Sequence, residues 1–251
     1  MFIRNESFKD FLRFYPVIST LVTIHILLWI TTEVIPLSFF MELKQLGVGH
    51  NGLIKSGEYW RIVTAMFFHF GLMHTLFNSF TLVLFGPALE TMLGKMKFIL
   101  FYLLTGVGGN VATLYLAHDF VIHAGASGAI YGLFGIYVYM MMYKKHLMDD
   151  QSSQIVKVIL ILGLIMTFLR TNINIYAHIF GLLTGFALGP LLLHNVRPFF
   201  TGTLKRYAVD DNEIHFDPDR WRKKRIPWKK IVLVLFWGAI LTLVILEMFV
   251  R

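Results

Sequence analysis

Long apolar runs separated by short polar segments dominate the chain. A bilayer-spanning helix needs about 20 apolar residues, with a range of about 17 to 25. We interpret seven apolar segments as spans, at 16–35, 71–92, 98–117, 127–143, 155–169, 175–194 and 231–250, although 155–169 is shorter than this range. Because open sheets cannot satisfy their backbone hydrogen bonds in lipid, the pattern predicts an all-α polytopic membrane protein.

The segments between these spans are harder to interpret. Residues 37–70 are apolar but interrupted by charges and glycines, and they include Tyr59 and Trp60, residue types that favour the headgroup region. We interpret this stretch as a long loop lying partly in the membrane interface. The alternative is that residues 62–70 begin the second span. A tight turn is predicted at 94–97, and polar loops at 118–126 and 149–154.

Composition and charge agree with a membrane protein. The chain is 56% hydrophobic and 15% charged, whereas soluble domains carry about 25% charged residues. It contains no cysteine, which excludes disulfides and thiolate metal sites. The first apolar run is too long for a signal-peptide core, so we expect it to be retained as a span.

The lysines and arginines predict the orientation. With a cytoplasmic N-terminus, eighteen of the 23 would lie inside, and the positive-inside rule favours that arrangement. The basic cluster at 220–230 would then face anionic lipid, which accounts for the net charge of +8 without a nucleic-acid partner. The five residues expected outside are Lys44, Lys55, Arg61, Arg170 and Arg251.

This topology predicts four segments in a cell-membrane protein. Residues 1–15 form a short cytoplasmic N-terminus, and residues 16–194 form a six-helix core. Residues 195–230 form a basic cytoplasmic linker, and residues 231–251 form a seventh transmembrane helix whose C-terminus lies outside.

Polar side chains occur near the start of three spans: His74 and Asn78, Ser127, and His178. Polar groups within a membrane cost free energy, so they are functional-site candidates. All three spans run from outside to inside in the predicted topology, which places these residues at similar depth. The fourth span, 17 residues long, reaches only about 25 Å, so we expect Ser127 to lie below the outer surface.

Glycines on the fourth and sixth spans predict a close helix crossing. Gly181, Gly185 and Gly189 recur every four residues, a spacing that allows two backbones to pack tightly. The crossing would bring the imidazole of His178 to the hydroxyl of Ser127, and histidine is the usual base for activating a serine. No acidic residue lies near either one, so we expect a Ser–His dyad.

Further groups complete a hydrolytic site. Tyr131, one helical turn from Ser127, is expected to hold the imidazole by stacking. His74 and Asn78 are spaced i, i+4 on one helix face, where they could donate to an oxyanion. Backbone amides at the start of the fourth span would add further donors.

Each feature has an alternative explanation. A serine at a helix start more often caps the helix than acts as a nucleophile. A lone membrane histidine such as His178 is often only hydrogen-bonded to a neighbour. His69 and His123 flank the site, where they could assist water or substrate binding, and the alternative is that they are ordinary interfacial histidines. The sequence around Ser127 also differs from the Gly-x-Ser-x-Gly nucleophile elbow.

The motifs resemble those of the rhomboid family of intramembrane serine proteases, over about residues 57–189. Five family motifs occur in the family's order and spacing: Trp-Arg at 60–61, His-x-x-x-Asn at 74–78, Glu-x-x-x-Gly at 90–94, Gly-x-Ser-Gly at 125–128 with a tyrosine at 131, and Ala-His-x-x-Gly-x-x-x-Gly at 177–185.

The resemblance implies a six-helix core with one added C-terminal helix, and a serine endopeptidase that cleaves transmembrane helices near small or helix-breaking residues. It implies Ser127 as the nucleophile, His178 as general base and acid, and His74, Asn78 and the Ser127 amide as the oxyanion hole. Tyr131 would support the dyad. No cofactor or metal is implied, and the partners are transmembrane substrates and lipid. Structural roles are implied for Gly125, Gly128, Gly181, Gly185, Trp60, Arg61 and Glu90.

Two other functions compete with proteolysis. The first is a catalytically silent relative that binds membrane helices for quality control. The second is a seven-helix transporter or receptor, which repeated halves or mid-span charges would favour. The sequence does not predict an oligomeric state.

Overall fold

The computed structural model describes residues 1–2, 4–35 and 37–199, and these are mostly helical. They include a π-helical turn, Ile30–Val34, and a 3-10 turn, Lys145–Leu147. The helices are α1 (Phe8–Phe14), α2 (Pro16–Trp29), α3 (Ser38–Gly47), α4 (Asn51–Lys55), α5 (Arg61–Thr64), α6 (Leu72–Leu93), α7 (Lys95–Leu116), α8 (Ser127–Tyr143), α9 (Asp150–Leu169) and α10 (Ile175–Leu192).

Six of the helices correspond to the first six predicted spans. Five are long and apolar enough to cross a bilayer: α2 with its π turn, α6, α7, α9 and α10. The sixth, α8, has 17 residues and begins and ends where the sequence predicted. The predicted seventh span, 231–250, and most of the linker, 195–230, lie outside the described residues.

Two boundary predictions were wrong. The turn predicted at 94–97 is confined to Gly94, whose φ of 78° ends α6, so that α7 begins directly at Lys95. The polar loop predicted at 149–154 is mostly helix. Asp149 caps α9, because its side chain accepts from the amide of Ser152, and this cap extends the helix back to Asp150.

The stretch 37–70 is a connection of short elements and not a span. It holds α3, α4 and α5, and Gly71, with a φ of 79°, separates it from α6. The alternative that residues 62–70 begin the second span is therefore wrong. Strand β1 (Gly49–His50) pairs antiparallel with β2 (Ile122–His123). The all-α prediction missed this two-residue ladder because such short strands leave no alternating pattern.

Buried side chains fix the start of α5 and the entry to α2. The guanidinium of Arg61, only 3% exposed, donates to the carbonyls of Gln45 and Val48 at 2.5 and 2.8 Å and to Glu58 at 2.7 Å. The carboxylate of Glu90 accepts from the amides of Val17 and Ile18 at 3.0 and 2.9 Å. These two amides lie in the first turn of α2 and have no carbonyl within the helix to bond.

The N-terminal segment also supports α6. Pro87 has no N–H to donate to the carbonyl of Val83, four residues earlier. The guanidinium of Arg4 donates to that carbonyl at 2.7 Å. Phe2 is buried, with its ring 4.8 Å from that of Phe85.

Helix α8 lies against α10 at backbone distance. A Cβ added at Gly185 would collide with the carbonyl oxygen of Gly132, and one added at Gly135 would collide with the carbonyl of Leu182. The predicted packing of the fourth and sixth spans through glycines is therefore confirmed. The third glycine of the four-residue series differs, because Gly189 faces the ring of Tyr139 and not the backbone of α8.

Candidate active site

Ser127 is the first residue of α8, and its N-cap is Ala126, which makes no side-chain cap hydrogen bond. The alternative that Ser127 serves as the helix cap is therefore wrong. The amides of the first helical turn, including that of Ser127, have no carbonyl within the helix to bond. Gly125 precedes them with a φ of 133°, a backbone conformation that suits glycine. The turn thus places Ser127, a partly exposed residue, beside backbone donors.

The loop before Ser127 is held by residues that precede α6. The amide of Gly125 donates to the carbonyl of Ala65 at 2.8 Å, and the amide of Ala126 donates to Nε2 of His69 at 3.3 Å. Nδ1 of His69 faces the carbonyl of Phe67 at 3.2 Å, so we assign the proton to Nδ1. Burial lowers the pKa of His69 to about 2, which keeps Nε2 free to accept.

His69 therefore has a structural contact of its own. The sequence offered two roles for it, assistance to water or substrate and an ordinary interfacial histidine. The structure adds a third, the anchoring of the backbone next to Ser127. His123 lies on β2, where its ring packs against Gly49. Both its ring nitrogens are buried without a partner among the described residues.

The crossing of α8 and α10 lies beside Ser127 and His178. A Cβ added at Gly181 would collide with the carbonyl oxygen of Gly128. One added at Gly128 would lie 3.3 Å from the carbonyl oxygen of Ala177. Gly128 follows Ser127, and Ala177 precedes His178, so this contact brings together the helix segments that carry both side chains.

The imidazole of His178 lies between two side chains from other helices. It is 7% exposed and sits in the first turn of α10, which Asn174 caps by accepting from the amide of Ala177. The ring of Tyr131 stacks on it, with centroids 4.1 Å apart and an interplanar angle of 16°. Nδ1 lies 2.8 Å from the hydroxyl of Thr167 on α9.

Thr167 is the residue that the sequence analysis missed. A signal for it exists, because it is the single polar side chain between Val158 and Leu169. A threonine in a helix commonly bonds the carbonyl four residues earlier, however, so the presence of Thr167 alone does not predict a contact with His178.

His74 and Asn78, both on α6, lie against Gly125. A Cβ added at Gly125 would lie 2.6 Å from Nε2 of His74 and 3.7 Å from Nδ2 of Asn78. Asn78 is 6% exposed, and its Nδ2 has no hydrogen-bond partner among the described residues. A buried amide donor without a partner therefore lies next to the loop that leads into Ser127.

The remaining predicted residues lie away from this cluster. Trp60 donates from its indole nitrogen to the carbonyl of Leu46 at 3.2 Å, and Arg61 and Glu90 make the contacts described above. Gly185 lies one turn further along the α8–α10 crossing. Within the described ranges, no group of three or more His, Cys, Asp or Glu residues is placed to hold a metal ion.

Comparisons with known proteins all match this chain to the same family. The family model for the Rhomboid domain matches residues 56–195. A Bacillus subtilis protein named as a candidate rhomboid protease, YdcA, is 39% identical over 188 residues, which cover 75% of this chain and 94% of that protein.

Two further relatives match over shorter stretches. Rhomboid protease GluP of Bacillus subtilis is 35% identical over 144 residues, 57% of this chain and 28% of that protein. The mitochondrial RHOMBOID-like protein 6 of Arabidopsis thaliana is 34% identical over 143 residues, 56% of this chain and 46% of that protein. The apolar helices of the matched region are those of a multi-pass membrane protein. Because the domain match covers more than half of the sequence, the chain belongs to the rhomboid family.

Proposed function

We propose that this protein is an intramembrane serine endopeptidase that cleaves transmembrane helices of membrane-protein substrates through a Ser127–His178 dyad. The observation that carries the proposal is the contact of Gly128 with Ala177 and Gly181, which brings the segments bearing Ser127 and His178 together. Relatives named as rhomboid proteases support the same activity.

The proposed reaction is acyl transfer in two halves. Oγ of Ser127 attacks the scissile carbonyl carbon while Nε2 of His178 takes the hydroxyl proton. The tetrahedral intermediate collapses, His178 passes the proton to the leaving amine, and the peptide C–N bond breaks. Water then attacks the acyl-enzyme with His178 again as base, which releases the carboxylate and restores the Ser127 hydroxyl.

The oxyanion of the intermediate requires donors that are already in place. In the proposed site these are Nδ2 of Asn78, the ring of His74 and the backbone amide of Ser127. The unpartnered Nδ2 of Asn78 supports this role, because a buried donor that has no partner in the resting protein is available to a developing negative charge.

The proposed setting is a cell membrane, with the N-terminus in the cytoplasm and the site recessed below the outer surface. Two observations support it. The distribution of basic residues favours this orientation. The 17 residues of α8 reach only about 25 Å, less than a hydrocarbon core of about 30 Å.

The test is cleavage in proteoliposomes that contain the full-length protein. The substrate is a single-span protein with small and helix-breaking residues near the outer end of its helix. We expect one cut within or beside the apolar segment, located by mass spectrometry, and no cut with Ser127→Ala or His178→Ala. Ser153→Ala and His146→Ala are matched controls, because within the described residues the Ser153 hydroxyl donates to the carbonyl of Asp149 alone, and His146 is exposed.

The outcome also separates the two rhomboid-like alternatives. A silent relative that grips membrane helices predicts that the substrate copurifies with wild type and with Ser127→Ala, and is cut by neither. That result would overturn the proposed protease activity.

A further inference from the structure

The hydroxyl of Thr167 lies at the centre of a buried network that joins three helices. Thr167 is 0% exposed. Its Oγ1 lies 2.8 Å from the carbonyl oxygen of Gly163 on α9, 2.9 Å from the hydroxyl of Tyr131 on α8 and 2.8 Å from Nδ1 of His178 on α10. The network therefore reaches the proposed base from a helix that carries neither member of the dyad.

Counting protons assigns the direction of each bond. A hydroxyl has one proton and two acceptor sites, and a carbonyl oxygen only accepts. The proton of Thr167 is therefore donated to Gly163. The two other contacts then require the hydroxyl of Tyr131 and Nδ1–H of His178 to donate to Oγ1 of Thr167. The proton of the neutral imidazole is thus assigned to Nδ1, which leaves the lone pair on Nε2.

This tautomer is the one that the proposed reaction needs. A base that accepts the Ser127 proton through Nε2 must carry its own proton on Nδ1. In Ser-His-Asp enzymes an aspartate holds the imidazole in that tautomer and orientation. Among the described residues, the group at this position is the uncharged hydroxyl of Thr167 and not a carboxylate.

We propose that Thr167 is a positioning residue that fixes the Nδ1–H tautomer and the orientation of the His178 ring for catalysis. This inference rests on the proposed function, because it assigns His178 as the base. Gly163 contributes by its size, since a Cβ there would lie 2.8 Å from the Tyr131 hydroxyl. The sequence prediction of a dyad is thereby extended to a dyad with a neutral orienting hydroxyl.

Two substitutions isolate the hydroxyl. Thr167→Val keeps the branched shape and removes the hydroxyl, whereas Thr167→Ser keeps the hydroxyl and removes the methyl group. In cleavage assays on the full-length protein, we expect Thr167→Val to lower kcat about tenfold with KM unchanged, which is the effect of losing one hydrogen bond of ordinary strength. Thr167→Ser should restore kcat to within about threefold of wild type by the same reasoning.

Thr105→Val is the matched control. Thr105 is also 0% exposed, and its hydroxyl donates to the carbonyl of Phe101 four residues earlier, but no hydrogen bond joins it to an imidazole in the described part of the chain. We expect its kcat to match that of wild type. An equal loss of kcat in Thr105→Val and Thr167→Val would overturn the positioning role.

A spectroscopic readout is independent of catalysis. The full-length Ser127→Ala protein, labelled with ¹⁵N-histidine, should show His178 with a protonated Nδ1 and a bare Nε2. The resonances are assigned by their loss in Ser127→Ala/His178→Ala. Adding Thr167→Val should shift the tautomer population towards Nε2–H, and adding Thr167→Ser should not.

The outcomes separate this inference from the proposed function. If wild type cleaves while Thr167→Val keeps both kcat and the tautomer, the inference fails and the protease activity stands. If Ser127→Ala cleaves as wild type does, the proposed function fails whatever the tautomer is. Should Thr167→Val not fold, an Nε2–H imidazole in the Ser127→Ala protein would still overturn the inference.

Discussion

The phenol ring of Tyr131 lies parallel to the imidazole of His178, with centroids 4.1 Å apart and an interplanar angle of 16°. The Tyr131 hydroxyl, at the far end of the same ring, contacts the hydroxyl of Thr167 at 2.9 Å. One side chain therefore acts on the histidine in two ways, by covering its face and by bonding its partner.

These two contributions can be separated at Tyr131. Tyr131→Phe keeps the stacked ring and removes one neutral hydrogen bond, so we expect kcat to fall by less than about tenfold. Tyr131→Ala removes both and leaves a cavity beside the imidazole, which destabilises the protein by about 3–5 kcal/mol. Cleavage rates and thermal unfolding in detergent measure the two effects. Equal kcat losses for Phe and Ala would mean that stacking contributes nothing.

Asn78 provides a test of the oxyanion site. Asn78→Ala removes a buried donor that bonds nothing else in the described residues. Loss of one oxyanion donor costs about 10²–10³ in kcat, so we expect a drop of that size with KM little changed. Asn195→Ala, at an exposed position, is the control. A kcat for Asn78→Ala within a factor of two of the control would exclude this role.

The α8–α10 crossing depends on Gly181. A side chain there would collide with the backbone of Gly128, which cannot move without displacing Ser127. We expect Gly181→Ala to destabilise the protein by about 1–3 kcal/mol and to reduce cleavage more than stability alone explains. Leu183→Ala is the comparison on the same helix, because Leu183 is 50% exposed. Wild-type cleavage by Gly181→Ala would contradict the close crossing.

His69 predicts a pH dependence of stability. Burial lowers its pKa from 6.5 to about 2. As the pH falls below about 6.5, the unfolded chain binds a proton at this residue and the folded protein does not. Because the unfolded state binds more protons, the free energy of unfolding decreases as the pH falls. The stability contributed by neutral His69 is fully present above pH 6.5 and declines as the pH falls towards 2.

The variant His69→Gln isolates this effect. Glutamine does not titrate, and its carbonyl can still accept from the amide of Ala126. We expect its unfolding midpoint in detergent to fall less steeply below pH 6.5 than that of wild type. The control is His146→Gln at an exposed position. Parallel pH profiles for wild type and His69→Gln would count against a buried, neutral His69.

The sequence predicted well those features that apolar length and small residues determine. The bounds of α8 follow from Lys144 and Lys145 at one end and the polar loop before Ser127 at the other. Its crossing with α10 follows from the four-residue spacing of Gly181 and Gly185, because only small residues let two backbones touch.

The missed features depend on contacts between distant segments. Thr167 lies eleven positions from His178 in the chain, and only the packing of α9 against α8 and α10 brings its hydroxyl to Nδ1. The pairing of β1 with β2 joins segments that are still further apart in the chain, Gly49 with His123 and His50 with Ile122. The early start of α9 was missed for another reason. Asp149 is a residue type that commonly caps helices, and hydropathy does not record that signal.

In the proposed mechanism, Ser127 is a nucleophile that His178 activates. The most direct measurement is reaction of the full-length protein in proteoliposomes with a serine-directed fluorophosphonate, followed by peptide mapping. We predict one modified peptide, containing Ser127, with no modification in Ser127→Ala and a strongly reduced rate in His178→Ala. Equal labelling of wild type and Ser127→Ala would contradict the account.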